Sequence, residues 1–298
     1  MYKKKIFICN DVGASEQISN LIKYKKIKNY STILTNSSKR VFTKNQVKTN
    51  TDKKININRY NTIITGTSWR FKNEIETIKE FINKKKIITI LDEVSYVKRR
   101  FKLNNKYYFP NEIWVPKKIV ISKKIFPKNV KIKKIPNYYF LDFKKKLSKL
   151  KTHSNSKRNF LYLTQPNSKV NKSMGKKTYK DEKYFFKKFL SKLSEYSIKN
   201  SCITLRVHPS EQSSKYNKII NNFNNLSIKK SKLSLEKDLK KNFFVVGYNT
   251  NAMRLAFLNK NMVITMGGRK IMKDFFFNTN INSFNFFTKQ LDKLFPKN

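Results

Sequence analysis

Hydrophobic positions along this chain come in short unbroken runs. Most runs are followed by a stretch in which apolar residues recur every three or four positions. "KIFIC" (5–9) is a run of the first kind, and "NDVGASEQISNLIKYKK" (10–26) follows at once with Ile18, Leu21 and Ile22 at helical spacing. "YSTILTN" (30–36) and "NTIITGTS" (61–68) are further runs, the second leading into the amphipathic "NEIETIKEFINKK" (73–85). "IITILDE" (87–93) and "EIWVP" (112–116) complete the series in the first half. A run apolar at every position suits a strand covered on both faces, as parallel sheets require. The period-3.6 segments suit the helices that cover them. Strand and helix in this alternation predict βαβ units around a parallel sheet.

From about Ile121 to Ser156 the pattern fades into lysine runs and two prolines, which reads as a connector with a junction near Lys151–Lys157. The rhythm then restarts. "NFLYLTQP" (159–166), "SCITLRVHP" (201–209), "LSIKKS" (226–231), "FFVVGYN" (243–249) and "NMVITMGG" (261–268) read as strands. Between them, "KDEKYFFKKFLSKLSEYS" (180–197) puts Phe185, Phe189 and Leu193 on one helical face, and three shorter helical segments follow. The expected architecture is α/β, with two Rossmann-like parallel-sheet domains at 1–150 and 151–298 facing a cleft. In open parallel sheets ligands sit at the carboxyl ends of the strands, so those ends are expected to face the cleft.

A chain of 298 residues, 39% apolar and 14% aromatic, supports two domains with real cores and excludes disorder. Its formal net charge of +49 raises the question of a polyanionic partner. The lysines, however, are spread over every segment and occur with abundant Asn and Ile, as AT-rich codons would give. A reader of nucleic acid would concentrate Arg, whose planar fork matches phosphates and bases. No RNA-recognition signature, zinc knuckle or Arg-rich arm is present, so specific nucleic-acid binding is not expected. The surface field would still attract phosphate-bearing ligands and anionic lipid. Cys9 and Cys202 lie in apolar runs without metal-ligand spacing, which suits two buried thiols in a reducing compartment. The opening "MYKKKIFICNDVG" lacks the apolar core of a signal peptide, and no window is long and apolar enough to span a bilayer.

Every notable polar cluster follows a predicted strand. In "NDVGASEQ", Asp11 would stand at a strand tip as a candidate base, Gly13 permits a close turn, and Ser15 suits a helix N-cap. In "TGTSWR", Thr67 and Ser68 offer donors to a sugar or phosphate, or else cap the next helix. Asp92 and Glu93 are adjacent in "LDEVSYVKRRF", and neighbours on a strand point to opposite sides, so one at most could be a base. Arg99 and Arg100 could bind phosphate or hold those acids. In "LRVHPSE", Pro209 ends the strand and leaves the His208 imidazole at the sheet edge, able to donate to a phosphate oxygen, with Arg206 beside it as a further candidate ligand. Glu211 reads either as a helix-start acid or as a ligand for a sugar hydroxyl. In "VVGYNTNAM", Asn249, Thr250 and Asn251 open a helix and form a candidate anion site that could share a phosphate with His208.

"HPSE", followed after 26 residues by "DLKKNFFVVGYNTNAMRLAFLNKNMVIT", resembles the C-terminal domain of GT-B glycosyltransferases. The likeness is greatest to bacterial sialyltransferase, polysialyltransferase and capsule-type enzymes with an HP motif. The resemblance implies a donor domain at 151–298, an acceptor-side domain at 1–150, and phosphate contacts from His208, Asn249 and Thr250. It also implies transfer from a nucleotide-sugar donor to a glycan or lipid-linked acceptor in surface polysaccharide synthesis, without metal or other cofactor. Those enzymes use an acidic-acidic-glycine motif for the base. This chain lacks it and offers Asp11 or Asp92 as candidates. A basic cytoplasmic enzyme of this kind could sit against the anionic inner membrane face. Nucleotide-sugar epimerases and hydrolases share the fold and are the alternative, with a non-enzymatic basic nucleic-acid binder further off.

Overall fold

The apolar runs of the first half pair side by side in a six-stranded sheet. In the computed structural model the described residues are 4–49, 56–68, 72–92, 97–117, 121–150, 159–175, 180–196, 198, 201–248, 250–267, 282–295 and 297. The chain divides into two compact units, Met1–Asp142 and Phe143–Asn298. The expected junction at Lys151–Lys157 lies outside the described residues.

The first unit runs β1 (Lys5–Cys9), α1 (Val12–Tyr24), β2 (Tyr30–Leu34), α2 (Asn36–Lys44), β3 (Thr62–Thr65), α3 (Asn73–Phe81) and β4 (Lys86–Ile90). Next come a short helix α4 (Val97–Arg100), a hairpin of β5 (Lys102–Leu103) and β6 (Lys106–Tyr107), then β7 (Glu112–Pro116) and β8 (Lys131–Ile135). Helix α5 (Tyr138–Ser148) carries the chain across the division. The sheet order is β2-β1-β3-β4-β7-β8, every pair parallel. β1, β3 and β4 are buried nearly throughout, because helices cover both faces. The stretch read as a connector therefore holds the sheet's last strand. β8 is "KIKKI", an edge strand whose lysines reach solvent while Ile135 is buried, and its polar composition hides it from a hydrophobic pattern.

The second unit runs β9 (Phe160–Leu163), α6 (Asn167–Met174), α7 (Glu182–Ser194), β10 (Ile203–Arg206), α8 (Asn217–Asn221) and β11 (Ile228–Lys230). It continues with α9 (Leu235–Lys241), β12 (Phe244–Gly247), α10 (Asn251–Leu258), β13 (Met262–Thr265), β14 (Asn282–Ser283) and α11 (Phe284–Leu294). Its sheet is parallel in the order β11-β10-β9-β12-β13-β14. Phenylalanines fill its core. Phe160 stacks on Phe244 at 5.1 Å and meets Phe287 of α11 edge-on at 6.1 Å. Each such ring contributes roughly 1.5–3 kcal/mol by leaving water.

Strand order decides where a ligand can enter. In the first sheet the chain goes one way from β1 to β2 and the other way from β3 onward. In the second it goes one way from β9 to β10 and β11, then returns to β12 on the other side. Loops leaving neighbouring strands diverge at these reversals and open a crevice at the carboxyl edge. The two switch points lie between β1 and β3 and between β9 and β12.

Candidate functional site

At the first switch point three carboxylates gather around the start of α1. Asp11 is the N-cap of α1, partly exposed, and its side chain makes no capping hydrogen bond. The Asp92 carboxylate, just past β4, is paired with Arg100 Nη1 at 2.8 Å. The Thr67 hydroxyl joins them, accepting from Arg100 Nη1 at 2.8 Å and lying 3.4 Å from Asp92 Oδ1. Of the two roles open to Arg100, the structure shows it holding the acid.

The third carboxylate, Glu74, sits in the first turn of α3 and is 2% exposed. It accepts the Asn10 N–H at 3.1 Å and is also held by the Ser68 N–H, so it clamps the ends of β1 and β3. Burial pushes its pKa up to about 8; the two N–H groups oppose this, and the charges of Asp11 and Asp92 reinforce it. Glu74 is therefore mostly a neutral acid at pH 7. Nothing in the sequence singles it out, because an acid at a helix start is favoured by the helix dipole without further purpose.

Several expectations for this edge need correction. Ser15 is not the N-cap of α1, because the helix begins three residues earlier. Ser15 lies fully buried in the first turn and donates its hydroxyl to Asp11 O at 2.7 Å. Gly13 belongs to that same turn rather than to a preceding loop. A Cβ on Gly13 would collide with Asp92 Oδ2, so the missing side chain makes room for the carboxylate at the positive end of α1. Thr67 and Ser68 do not cap α3, whose N-cap is Lys72; both are buried. Glu93, Trp69 and Arg70 lie outside the described residues.

Gly13→Ala follows as a test with a sign reversal. Helix propensity alone favours Ala by about 1 kcal/mol. The collision displaces a carboxylate tied to buried Arg100, so a net loss of about 1–3 kcal/mol is expected, read as a lowered melting temperature.

At the second switch point His208 opens a tight turn. The Glu211 N–H donates to His208 O at 2.9 Å, closing His208–Pro209–Ser210–Glu211 as a β-turn with proline at its second position. The Ser210 N–H donates to His208 Nδ1 at 3.2 Å, and the Ser210 hydroxyl lies 2.9 Å from the same nitrogen. Glu211 does not start a helix. Its carboxylate, 1% exposed, accepts from the Thr164 hydroxyl at 2.6 Å, Lys215 Nζ at 2.8 Å and the Tyr216 hydroxyl at 2.9 Å. Lys215 also reaches buried Glu182. Burial lowers the Lys215 ammonium and raises the Tyr216 phenol, the latter helped by the Glu211 charge. Arg206 is likewise turned inward, to Asp238 Oδ2 at 2.6 Å and Leu233 O at 2.8 Å. Of the five residues proposed for this edge as ligands beside His208, Arg206 and Glu211 are thus engaged within the protein.

Across β9, Thr250 is the N-cap of α10 and Asn251 its first residue. The Thr250 side chain makes no capping bond, and among the described residues its buried hydroxyl has no hydrogen-bond partner. Asn251 Oδ1 accepts from Arg254 Nη1 at 3.2 Å. Asn249 lies outside the described residues. A Cβ on Gly247 would press within 3.1 Å of Leu163 O, which explains a glycine at the tip of β12. β10 and β12 flank β9, so their tips stand about 10 Å apart at usual strand spacing.

Thr164, the first residue past β9, went unremarked in the sequence, although the same signal of a polar residue directly after a strand marks it. Among the described residues no group of three or more His, Cys, Asp or Glu could hold a metal ion. No helix among them is long and apolar enough to cross a membrane. A polar groove lined by Lys84, Lys86, Glu112 and Lys131 lies at the strand starts of the first sheet, the edge opposite its switch point.

No protein-family model and no curated protein matches the sequence. Solved structures do resemble the fold. The UDP-GlcNAc 2-epimerase of Methanocaldococcus jannaschii, in complex with UDP-GlcNAc and UDP, superposes with a TM-score of 0.61 at 14% identity, covering 97% of this chain and 92% of that one. HepE of Anabaena, in complex with UDP-glucose, gives 0.56 at 11% identity over 97% and 90%. The Neisseria meningitidis UDP-GlcNAc 2-epimerase, bound to UDP-GlcNAc, gives 0.54 at 8% identity over 88% and 82%. At these identities the likeness is one of fold. The chain has the GT-B-like α/β fold of these nucleotide-sugar enzymes, built from two Rossmann-like parallel-sheet units.

Proposed function

We propose that this protein is a nucleotide-sugar enzyme. In this reading the second unit holds the nucleoside diphosphate at its switch point, and the first carries the acid–base groups. The observation that carries it is the pairing of the His208 turn with the start of α10 on either side of β9. Backbone N–H groups at a helix start and an imidazole, carried at the tips of strands about 10 Å apart, suit the oxygens of one diphosphate. The UDP-sugar complexes of the enzymes that share the fold support the same ligand class. Asp11, partly exposed at the start of α1, is the base in this reading, and Asp92, paired with Arg100, is the other candidate.

The reaction we favour is transfer of the sugar to a glycan or lipid-linked acceptor. A carboxylate takes the acceptor proton, and the diphosphate leaves against the positive end of α10. Epimerisation is a second reading, favoured by one observation. It needs acid and base together, and neutral Glu74 stands beside Asp11 and Asp92. Contact with an anionic membrane stays part of the first reading, through the lysine surface.

Titration with UDP tests the nucleotide site. Binding is expected, and His208→Ala should weaken it by roughly tenfold to 150-fold, the worth of a hydrogen bond to a charged group. Absence of UDP binding by the native chain would sink the reading. Incubation with UDP-GlcNAc in deuterated water then separates the reactions: deuterium at C2 without acceptor means epimerisation, and UDP release only with acceptor means transfer.

A further inference from the structure

Thr164 is 4% exposed and has one hydroxyl proton to give. It gives that proton to Glu211 Oε2 at 2.6 Å. The same hydroxyl oxygen accepts the backbone N–H of His208 at 2.7 Å. One side chain therefore pins both ends of the four-residue turn, whose own Glu211 N–H to His208 O bond closes it. The turn is also tied to β9 through the backbone, where Thr164 N–H donates to Arg206 O at 3.1 Å.

Inside the turn the Ser210 N–H points at His208 Nδ1. A backbone N–H can only donate, so Nδ1 must be the bare nitrogen of the neutral ring, and the proton lies on Nε2. Shifting the turn's ends by a few tenths of an ångström would weaken this 3.2 Å contact and free the ring to exchange tautomers.

We propose that Thr164 is the positioning residue of the second switch point: its hydroxyl locks the His208–Glu211 turn so that His208 carries its proton on Nε2, as a fixed donor toward an anionic oxygen. The lock acts through the backbone and touches no ligand. Glu211 keeps its place without it, because Oε1 is held independently by Lys215 and Tyr216. Loss of the Thr164 hydroxyl should therefore loosen the turn without unfolding the unit. The anion is the diphosphate of a nucleotide, which rests on the reading of His208 given above; the tautomer does not.

The chain has only two histidines, His153 and His208, so nitrogen NMR of histidine-labelled protein resolves the ring directly. At about pH 8.5, where an ordinary histidine is neutral, the native His208 is expected as the pure Nε2–H form. Thr164→Ser keeps the hydroxyl and should keep that signature, with UDP affinity within about twofold of native. Thr164→Val keeps the shape and loses the hydroxyl. It should show mixed tautomers and bind UDP roughly tenfold more weakly, while the melting curve stays cooperative. Should Thr164→Val fail to fold, Thr164→Ala reads the same loss. A native proton on Nδ1, or a valine variant with the native spectrum and native UDP affinity, overturns the proposal. A native chain that binds no UDP, with a tautomer that collapses in Thr164→Val, keeps the lock and removes the nucleotide.

Discussion

Glu74→Gln is expected to make the protein more stable in alkali and to leave it unchanged in acid. Glu74 is buried, with its pKa raised from 4.5 to about 8. Below pH 4.5 the acid is protonated in the folded and unfolded chains alike. Between 4.5 and 8 the unfolded chain releases the proton and the folded chain keeps it. The folded state then binds more protons, so stability falls as pH rises through this window. The full loss is on the order of 4–5 kcal/mol, since each tenfold change in acidity is worth about 1.36 kcal/mol. Glutamine has no proton to lose, and its carbonyl can still accept the Asn10 N–H. Denaturant melts of both proteins at about pH 5 and pH 8.5 check this. The difference between them should be small at pH 5 and widen to most of the full loss at the higher pH, in favour of the variant. Equal stabilities at both values would mean an ordinary carboxyl at this site.

Glu211→Ala should cost about 3–5 kcal/mol, as much as truncating a core phenylalanine. The carboxylate collects three donors, from Thr164, Lys215 and Tyr216. Tyr216 is fully buried, away from bulk solvent. Removing the acid takes away the acceptor of the Tyr216 and Thr164 hydroxyls at about 1–3 kcal/mol apiece, although the two hydroxyls still neighbour each other and Lys215 keeps Glu182. For a unit of this size the melting temperature should drop by roughly 10 °C. Glu211→Gln retains an acceptor and should lose about half as much. If alanine is tolerated with no change in melting, the network does not hold the turn.

The parallel strands were legible because burial on both faces makes each an unbroken apolar run, as in β1, β3 and β12. β8 was not, since an edge strand can be mostly lysine. Helix α2 also escaped: "NSSKRVFTK" buries only Ser38, Val41 and Phe42 on a polar background. The strand-tip rule singles out Asp11, Asp92 and His208 as candidates, because topology alone brings strand ends to one edge. It could not say which side chains turn inward. Arg206 reads as a ligand in sequence because nothing in "TLRVHPSE" announces Asp238, 32 residues on, as its partner. Glu74 and Thr164 owe their importance to neighbours across the sheet, and such partners follow from register rather than from local pattern.

The lysines of β8 bear on how copies of this chain meet one another. An open sheet edge offers unpaired backbone N–H and C=O groups to any extended strand that drifts near. Here the outermost strand of the first unit carries Lys131, Lys133 and Lys134 along that margin. A second molecule adding its own β8 would bring six ammonium groups together along one seam. Charge that contributes little to the fold thus works against its growth into larger aggregates, and high salt should erode that protection.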